Sequence, residues 1–217
     1  MGRCIAGREI QADGLAGPWI RPVSARPKGE LASAEYSYPD HSRPRLLDVM
    51  EVPLIAEKSD PPQTENHVVS PAGGWKNLGK LASSQLENFV ECPDSIWICS
   101  GHTRDGHNDC MTASEASSLN SSLLFIEVEN FTVEALSNRF REGRAYRGRF
   151  FHREKYYNFS VTDPGIREMF DSQEEGDYSL ENVYLCLSLT RPYEIDKRCH
   201  KLIVAVIGKE KGSAAGR

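Results

Sequence analysis

Five apolar segments in the second half of the chain limit the possible fold more than any other feature of the sequence. Each is short and rich in β-branched and aromatic residues, a composition typical of β-strands. They occupy residues 123–128, 146–152, 156–162, 183–189 and 202–207. A helix is predicted from Asp163 to Phe170, between the third and fourth segments, because Pro164 suits the first turn of a helix. Another helix is predicted at 133–141, where Thr132 is a suitable N-cap.

Five strands with a short helix between the third and fourth are typical of the oligonucleotide/oligosaccharide-binding (OB) fold. The first half has a looser version of this pattern, with a predicted helix at 77–90. Its expected strands lie at 2–10, 19–24, 46–55, 65–69 and 94–99. We therefore predict a mainly β protein with short helices, built as two OB-like β-barrels in tandem. The expected division is a first barrel at 1–117, a second at 118–208 and a disordered tail at 209–217.

The composition is that of an ordinary globular protein, with 39% hydrophobic and 26% charged residues among 217. A chain of this length can bury a hydrophobic core without disulfides or metals. The sequence has no secretory signal pattern and no apolar stretch of about 18 residues, so no membrane is expected as a partner. The protein is expected in the cytoplasm, where its six cysteines would stay reduced.

Basic and aromatic residues alternate from Arg144 to Pro164, in the sequence RAYRGRFFHREKYYNFSVTDP. The net charge of the chain is −5, but the stretch from Arg139 to Lys155 contains seven Lys or Arg and two acids, a local charge of +5. Cations neutralise phosphates and aromatic rings stack on bases, so this stretch predicts a surface for single-stranded nucleic acid. The alternative is structural, because the core of a β-barrel also needs aromatic residues.

The alternation of side chains along a strand decides which of these residues reach a ligand. If Arg147 points outward, so do Arg149 and Phe151. The opposite set, which then points into the barrel, is Tyr146, Phe150 and His152. The nucleic-acid-binding residues predicted in this stretch are Arg147, Arg149, Phe151, Arg153, Lys155 and Tyr157.

A second candidate patch lies in the first half, where the motif WIRPVSAR places Trp19 close to Arg21 and Arg26. On the face of a barrel, the two arginines would bind phosphate and the indole would stack on a base. The structural alternative puts Trp19 in the core and pairs Arg21 with a carboxylate such as that of Asp48 or Glu65.

Four residues of the polar segment 99–110 are potential zinc ligands with the spacing C-x2-H-x4-H-x2-C. They are Cys99, His102, His107 and Cys110. The gap of four residues between the two pairs is short for a zinc site, so we favour a polar loop and predict neither a metal nor a cofactor. The sequence also lacks a G-x-S-x-G motif, a P-loop and a Cys-x-x-Cys pair, and no catalytic residue is predicted.

Seven motifs along the chain have a further implication when they are taken together. They are GRCIAGREI, GPWIRPVSAR, LLDVMEVPL, QTENHVV, YNFSVTDP, CLSLTRPY and HKLIVAVI, and they extend over about residues 2–208. As a set they resemble the prokaryotic dual OB-containing domain family. The resemblance implies a bacterial protein with two OB barrels, no established activity and an association with conflict and defence systems. Members of that family begin with a strand ahead of the RCIAG piece, whereas this sequence starts at Met1, so either the first strand is shortened or the start codon was assigned late. A barrel that lacks part of its first strand would expose an unpaired edge.

These patterns predict a non-catalytic module that binds single-stranded DNA or RNA, as part of a bacterial defence or conflict system. The alternative is a scaffold that binds other proteins of the same system without nucleic acid. An acid/base or metal-dependent enzyme that uses residues 65–67 or 99–110 is the third hypothesis.

Overall fold

The computed structural model describes residues 4–27, 29–137 and 143–209. Most of the regular structure consists of β-strands, and the helices are short. The chain divides into two compact units, Met1–Phe89 and Val90–Arg217, each with a hydrophobic core of its own.

The boundary between the two units lies earlier in the chain than the division expected at 117–118. Segment 90–117 belongs to the second unit, because Ile96 is fully buried in the core of that unit and residues 110–112 pair with its last strand. The tail predicted at 209–217 lies, apart from its first residue, outside the described residues.

The first unit contains short strands and two short helices in its described residues. The strands are β1 (Gly7–Ile10), β2 (Ala16–Val23), β3 (Asp48–Glu51), β4 (Leu54–Glu57), β5 (Asn66–Val69) and β6 (Lys76–Lys80). Helix α1 spans Ser33–Tyr36, and a 3₁₀-helix spans Ser83–Phe89. Strands β1 and β2 are antiparallel and form a hairpin.

Four of these strands form a sheet in the order β1-β2-β5-β4, and β6 pairs separately with β3. Strands β2 and β5 are parallel, whereas the other pairs are antiparallel. Pro53 separates β3 from β4, because proline has no N–H group to donate within a sheet. The core of the unit consists of Leu31, Tyr36, Tyr38, Val69 and Trp75.

The prediction of a helix at 77–90 is wrong, because this segment forms β6 and then the 3₁₀-helix. Gly79 has a φ of +134°, a conformation that interrupts a helix. Leu78, which the helical pattern assigns to the buried face, is 63% exposed, while Leu86 and Phe89 are buried. The spacing of the leucines therefore spans two different elements.

The second unit is larger and contains a closed β-barrel. Its strands are β7 (Cys110–Thr112), β8 (Leu123–Ser137), β9 (Arg144–His152), β10 (Lys155–Val161), β11 (Gly176–Leu189) and β12 (Arg198–Gly208). Helix α2 spans Ala113–Ser117, and α3 spans Pro164–Phe170. The barrel has the order β10-β9-β8-β11-β12 and is closed by parallel pairing of β10 with β12. This topology, with α3 after the third barrel strand, is that of an OB fold and confirms the predicted fold class.

The helix predicted at 133–141 is wrong, because strand β8 continues to Ser137 and the rest of the segment lies outside the described residues. Thr132 pairs with strands on both sides and does not cap a helix. Val133 and Ala135 are fully buried and alternate with more exposed neighbours, which is the period of a strand.

The strand predicted at 94–99 is also wrong, since this segment is a turn that inserts Ile96 into the barrel core. The N–H of Ile96 donates to the hydroxyl of Tyr157 at 3.1 Å. The ammonium of Lys201 donates to the carbonyl oxygens of Ile96 and Ile98 at 3.0 and 2.9 Å. Two core residues therefore hold the turn in place.

The two units share a pattern of strand pairing. Strand β2 pairs with β1 in antiparallel and with β5 in parallel orientation. Strand β10 pairs in the same way with β9 and β12. Strands β3 and β4 together take the place of the long β11. Strand β4 pairs with β5 as β11 pairs with β12, and β3 pairs with β6 as β11 pairs with β8. Among the described residues no pairing joins β6 to β1, whereas β8 pairs with β9 in the second unit.

Candidate nucleic-acid interface

The outer face of β9 and β10 presents aromatic side chains to solvent. Tyr146, Phe150 and His152 point inward and are buried, in agreement with the predicted alternation. Phe151, in the opposite phase, is 63% exposed. Its cross-strand partner on β10 is Tyr156, and the centres of the two rings lie 5.4 Å apart.

Two histidines continue this row of rings. His107 lies 5.4 Å from Tyr156, and His102 stacks on His107 at 5.1 Å with an angle of 15° between the ring planes. Phe151 and both histidines are exposed, and Tyr156 is half-buried. We name this row of four rings, Phe151, Tyr156, His107 and His102, the ring ladder.

The histidines reach β10 because residues 101–110, which we name the strap, are hydrogen-bonded to this strand. The N–H of His107 donates to the carbonyl oxygen of Asn158 at 3.2 Å, and the N–H of Asn158 donates in return at 3.1 Å. The side-chain amide of Asn108 donates to the carbonyl oxygen of Tyr156 at 3.0 Å. These bonds place both histidines beside the rings of the barrel.

Arg147 holds the strap from the barrel side. Its Nη2 lies 3.0 Å from Oδ2 of Asp109, and the two side chains are only 10% and 5% exposed. The guanidinium also donates to Asn158 and Ser160 at 2.9 and 3.3 Å. Asp109 accepts further hydrogen bonds from the N–H and hydroxyl of Thr103. A phosphate can reach Arg147 only by displacing Asp109, which corrects the prediction of Arg147 as an open phosphate contact.

Cations that remain accessible lie on the strap, on β9 and β10, and in the turn between these two strands. They are Arg104, Arg149, Arg153 and Lys155. Arg149 forms an ion pair with the exposed Asp177, and this hydrogen bond raises the pKa of Arg149. Arg153 lies 3.6 Å from the exposed Asp94. Arg104 and Lys155 are exposed.

Tyr157 does not belong to this surface, because it is fully buried. Its ring centre lies 5.4 and 5.5 Å from those of Phe150 and Phe159 in the barrel core. Burial raises the pKa of Tyr157, whose hydroxyl accepts a hydrogen bond from the N–H of Ile96. A base cannot reach this ring, so the prediction that Tyr157 contacts nucleic acid is corrected.

The candidate patch in the first unit contains a buried ion pair. Nε and Nη2 of Arg21 lie 3.1 and 2.9 Å from Oε1 of Glu65, and both side chains are buried. The structure thus shows the pairing with Glu65 that the structural alternative proposed. Arg26 is 56% exposed but bound to Glu35, and the guanidinium of Arg8 lies over the half-buried ring of Trp19 at 5.3 Å. The ion pair of Arg21 with Glu65 therefore fixes the WIRPVS motif to the segment that contains Glu65.

The four potential zinc ligands do not converge. Sγ of Cys99 contacts the hydroxyls of Ser95 and Tyr157, and Sγ of Cys110 lies 3.5 Å from the guanidinium of Arg198. The two histidines belong to the ring ladder instead. Within the described residues, no group of three or more His, Cys, Asp or Glu side chains could hold a metal ion.

The sequence carries no signal that would place His102 and His107 beside Tyr156. They are far from Tyr156 in the chain, and a single β-bridge between His107 and Asn158 brings them together. A periodic pattern reveals strands, but an isolated bridge leaves no periodic trace. These residues were therefore visible from the sequence only as potential metal ligands.

The closed barrel and its aromatic outer face define the second unit as an OB domain, and the strand pairing relates the first unit to the same fold. The chain belongs to the dual OB-containing domain family, whose model matches residues 1–206. No curated protein and no solved structure matches the chain. In the part of the chain that the structure describes, no helix has both the length and the apolar character needed to cross a membrane.

Proposed function

We propose that the second unit binds single-stranded nucleic acid, with bases on the exposed rings of Phe151 and Tyr156 and phosphates at the four accessible cations. The exposed pair of Phe151 on β9 and Tyr156 on β10 carries this proposal, because their ring centres lie 5.4 Å apart on the second and third strands of an OB barrel. OB folds use this face for oligonucleotides. Stacking on one aromatic ring contributes about 1–3 kcal/mol per base and tolerates any base.

The charges around the ring ladder support moderate binding that depends on salt. Arg149 and Arg153 pair with exposed carboxylates, and such surface pairs are weak enough for a phosphate to replace the carboxylate. The exposed acids Asp105 and Glu154 reduce the local positive charge. If all four cations contact phosphates, log K should fall with log salt concentration with a slope of about −3 at most.

The direct test is fluorescence anisotropy with labelled DNA and RNA single strands of about 15 nucleotides, a length that covers the range of OB sites. The affinity should fall between a low and a high salt concentration with the slope given above. The absence of binding at low salt, or binding that salt does not change, contradicts the proposal.

Single substitutions on the ring ladder locate the site. Phe151→Ala or Tyr156→Ala should each weaken binding by about 1–3 kcal/mol, because each removes one stacking ring. Met169→Ala is a matched control, since Met169 on α3 is 54% exposed and lies outside the ring ladder. Equal affinities of the control and the ring variants would place the binding site elsewhere.

Binding through Trp19 and Arg26 in the first unit stays a prediction. The side chain of Arg26 is 56% exposed, so its pairing with Glu35 leaves part of the guanidinium accessible. Trp19→Ala should weaken binding of a long single strand if the first unit takes part, and should change nothing if the second unit binds alone.

A scaffold that binds another protein is the second candidate, favoured by exposed apolar side chains in the first unit. Ile55 on β4 and Leu78 on β6 are 61% and 63% exposed. Contiguous exposed apolar side chains are typical of surfaces that bind a partner, and the double substitution tests whether these two belong to such a surface. Replacing both with serine should abolish capture of a protein partner and leave nucleic-acid binding unchanged.

A further inference from the structure

We infer that His102 and His107 are base-stacking residues, and that the buried pair of Asp109 and Arg147 positions them. This inference rests on the proposed function. It gives the strap the role of extending the binding surface of the barrel beyond β9 and β10. Arg147 then acts on the ligand through the strap and does not contact a phosphate.

The four rings are neighbours in one row, in which the planes of His107 and Tyr156 are tilted by 45° and those of Tyr156 and Phe151 by 53°. The planes of His102 and His107 are nearly parallel, at 15°, and their centres lie 5.1 Å apart. His107 is as close to Tyr156 as Tyr156 is to Phe151, at 5.4 Å in each case. Because both histidines are exposed, a single-stranded nucleic acid whose bases stack on Phe151 and Tyr156 can place its next bases on His107 and His102.

The strap is held in this position by its hydrogen bonds to β10, by the pairing of Cys110 with His200 on β12 and by the ion pair of Asp109 with Arg147. Most of these bonds are partly open to solvent, but the pair of Asp109 and Arg147 is buried. A buried carboxylate that is paired and hydrogen-bonded fixes its surroundings strongly, and its loss leaves the opposite charge without a partner. Removal of the Asp109 carboxylate should therefore displace the histidines and leave Phe151 and Tyr156 on their strands.

The ring ladder also limits the ligand. Four rings offer stacking positions for about four bases, which is at the lower end of the range for one OB fold. Phe151 and Tyr156 alone offer positions for about two. Stacking does not read base edges, so the ligand is a short single-stranded stretch of any sequence.

The test is a series of labelled oligothymidylates from about two to about eight nucleotides, titrated at constant salt with the whole chain. With the natural protein, the affinity should rise up to about four nucleotides and change little beyond. With His102→Ala/His107→Ala, the rise should end at about two nucleotides, and a hexanucleotide should bind about 10-fold more weakly or worse. A dinucleotide should bind both proteins nearly equally.

Two variants separate stacking from a structural role of the strap. His102→Phe/His107→Phe keeps two rings and should restore the length dependence of the natural protein. Asp109→Asn should shift the length dependence in the same direction as the double alanine variant, and combining the three changes should add little. Circular dichroism and thermal unfolding of each variant report whether the barrel stays folded.

The outcomes distinguish this inference from the proposed function. Natural protein that binds no oligonucleotide overturns both. Natural protein that binds, while the double alanine variant keeps the same length dependence, overturns the inference and leaves the proposed function standing. A uniform loss of affinity at every length also overturns it, because stacking positions at one end of the ladder affect only the longer ligands.

Discussion

The ammonium group of Lys201 lies in the interior of the second unit, where the residue is 1% exposed. It donates to two carbonyl oxygens of the turn at residues 94–99 and lies 5.7 Å from the ring centre of Phe159. Burial lowers the pKa of Lys201 to about 8, although nearby acidic groups act in the opposite direction. The protonated form of Lys201, which holds this turn, is therefore less favourable in the folded protein than in water.

This pKa predicts how stability depends on pH. Lysine in an unfolded chain has a pKa of about 10.4, so between about pH 8 and pH 10 the unfolded state binds more protons than the folded state. The free energy of unfolding, relative to a Lys201→Met variant, should then rise with pH by up to about 3 kcal/mol. Urea unfolding of both proteins at about pH 8 and about pH 10 measures this difference in the free energy of unfolding.

The exposed Lys155 provides the control for that experiment. A Lys155→Met variant should keep a constant difference from the natural protein over the same pH range. A constant difference for Lys201→Met as well would contradict the low pKa of the buried lysine.

Gly106 lies against the Asp109–Arg147 pair. A Cβ at this position would lie 1.7 Å from Oδ2 of Asp109 and 2.5 Å from Nη2 of Arg147. Gly106→Ala should therefore lower the free energy of unfolding by about 1–3 kcal/mol, the usual cost of overpacking. Chemical unfolding measures the loss, with Gly208→Ala as the control, because a Cβ on Gly208 meets nothing within 4 Å.

Among the elements, the five barrel strands could be predicted because their apolar residues face one common core. The two failed helices have a different cause. In segment 133–141, Thr132 has the chemistry of an N-cap, but pairing of β8 with strands on both sides prevails over that local preference. In segment 77–90, leucines at near-helical spacing belong to a strand and a 3₁₀-helix. Pairing with strands that are distant in the sequence determines the structure of both segments, and a local sequence pattern does not reveal such pairing.

The helix α3 could be predicted from Asp163 and Pro164, but one role of Asp163 could not. Its Oδ1 accepts from the N–H of Gly165 at 2.8 Å, as an N-cap does, and its Oδ2 accepts from the N–H of Val206 at 2.7 Å. The same carboxylate thus joins the start of α3 to the last barrel strand. Only the first of these bonds is local enough to be read from the sequence.

Asp163→Ala should destabilise the second unit by about 2–4 kcal/mol, since it removes a cap and leaves a strand N–H without its acceptor. Asp163→Asn should lose less, because the amide oxygen can still cap the helix. Glu168→Ala is the control on the same helix, exposed and expected to change stability by less than about 0.5 kcal/mol. Equal effects of the two alanine variants would show that neither hydrogen bond of Asp163 contributes to stability.

For the whole molecule, the order of the barrel strands was predictable, whereas the extent of the second unit was not. Segment 90–117 has little regular structure, so its composition suggests a loop at the end of the first unit. In the structure it supplies Ile96 to the barrel core, β7 to the sheet and the strap to the candidate interface. Half of the ring ladder therefore comes from a segment that has no periodic pattern.

This assignment predicts how fragments behave. A fragment that begins at Val90 should unfold cooperatively in urea, because it contains the whole second unit. A fragment that begins at residue 118 lacks Ile96 and β7 and should be far less stable or fail to fold. Equal stability of both fragments would contradict the assignment of 90–117 to the second unit.

The position of β6 in the strand order of the first unit differs from that of its counterpart in the second unit. In the first unit this strand comes last and pairs with β3, while its counterpart β8 comes first among the barrel strands of the second unit. The two units are thus related by circular permutation of one strand arrangement. A first unit rearranged so that residues 76–80 precede β1 would keep every strand pair and would read, from its first strand to its last, in the order of the second unit.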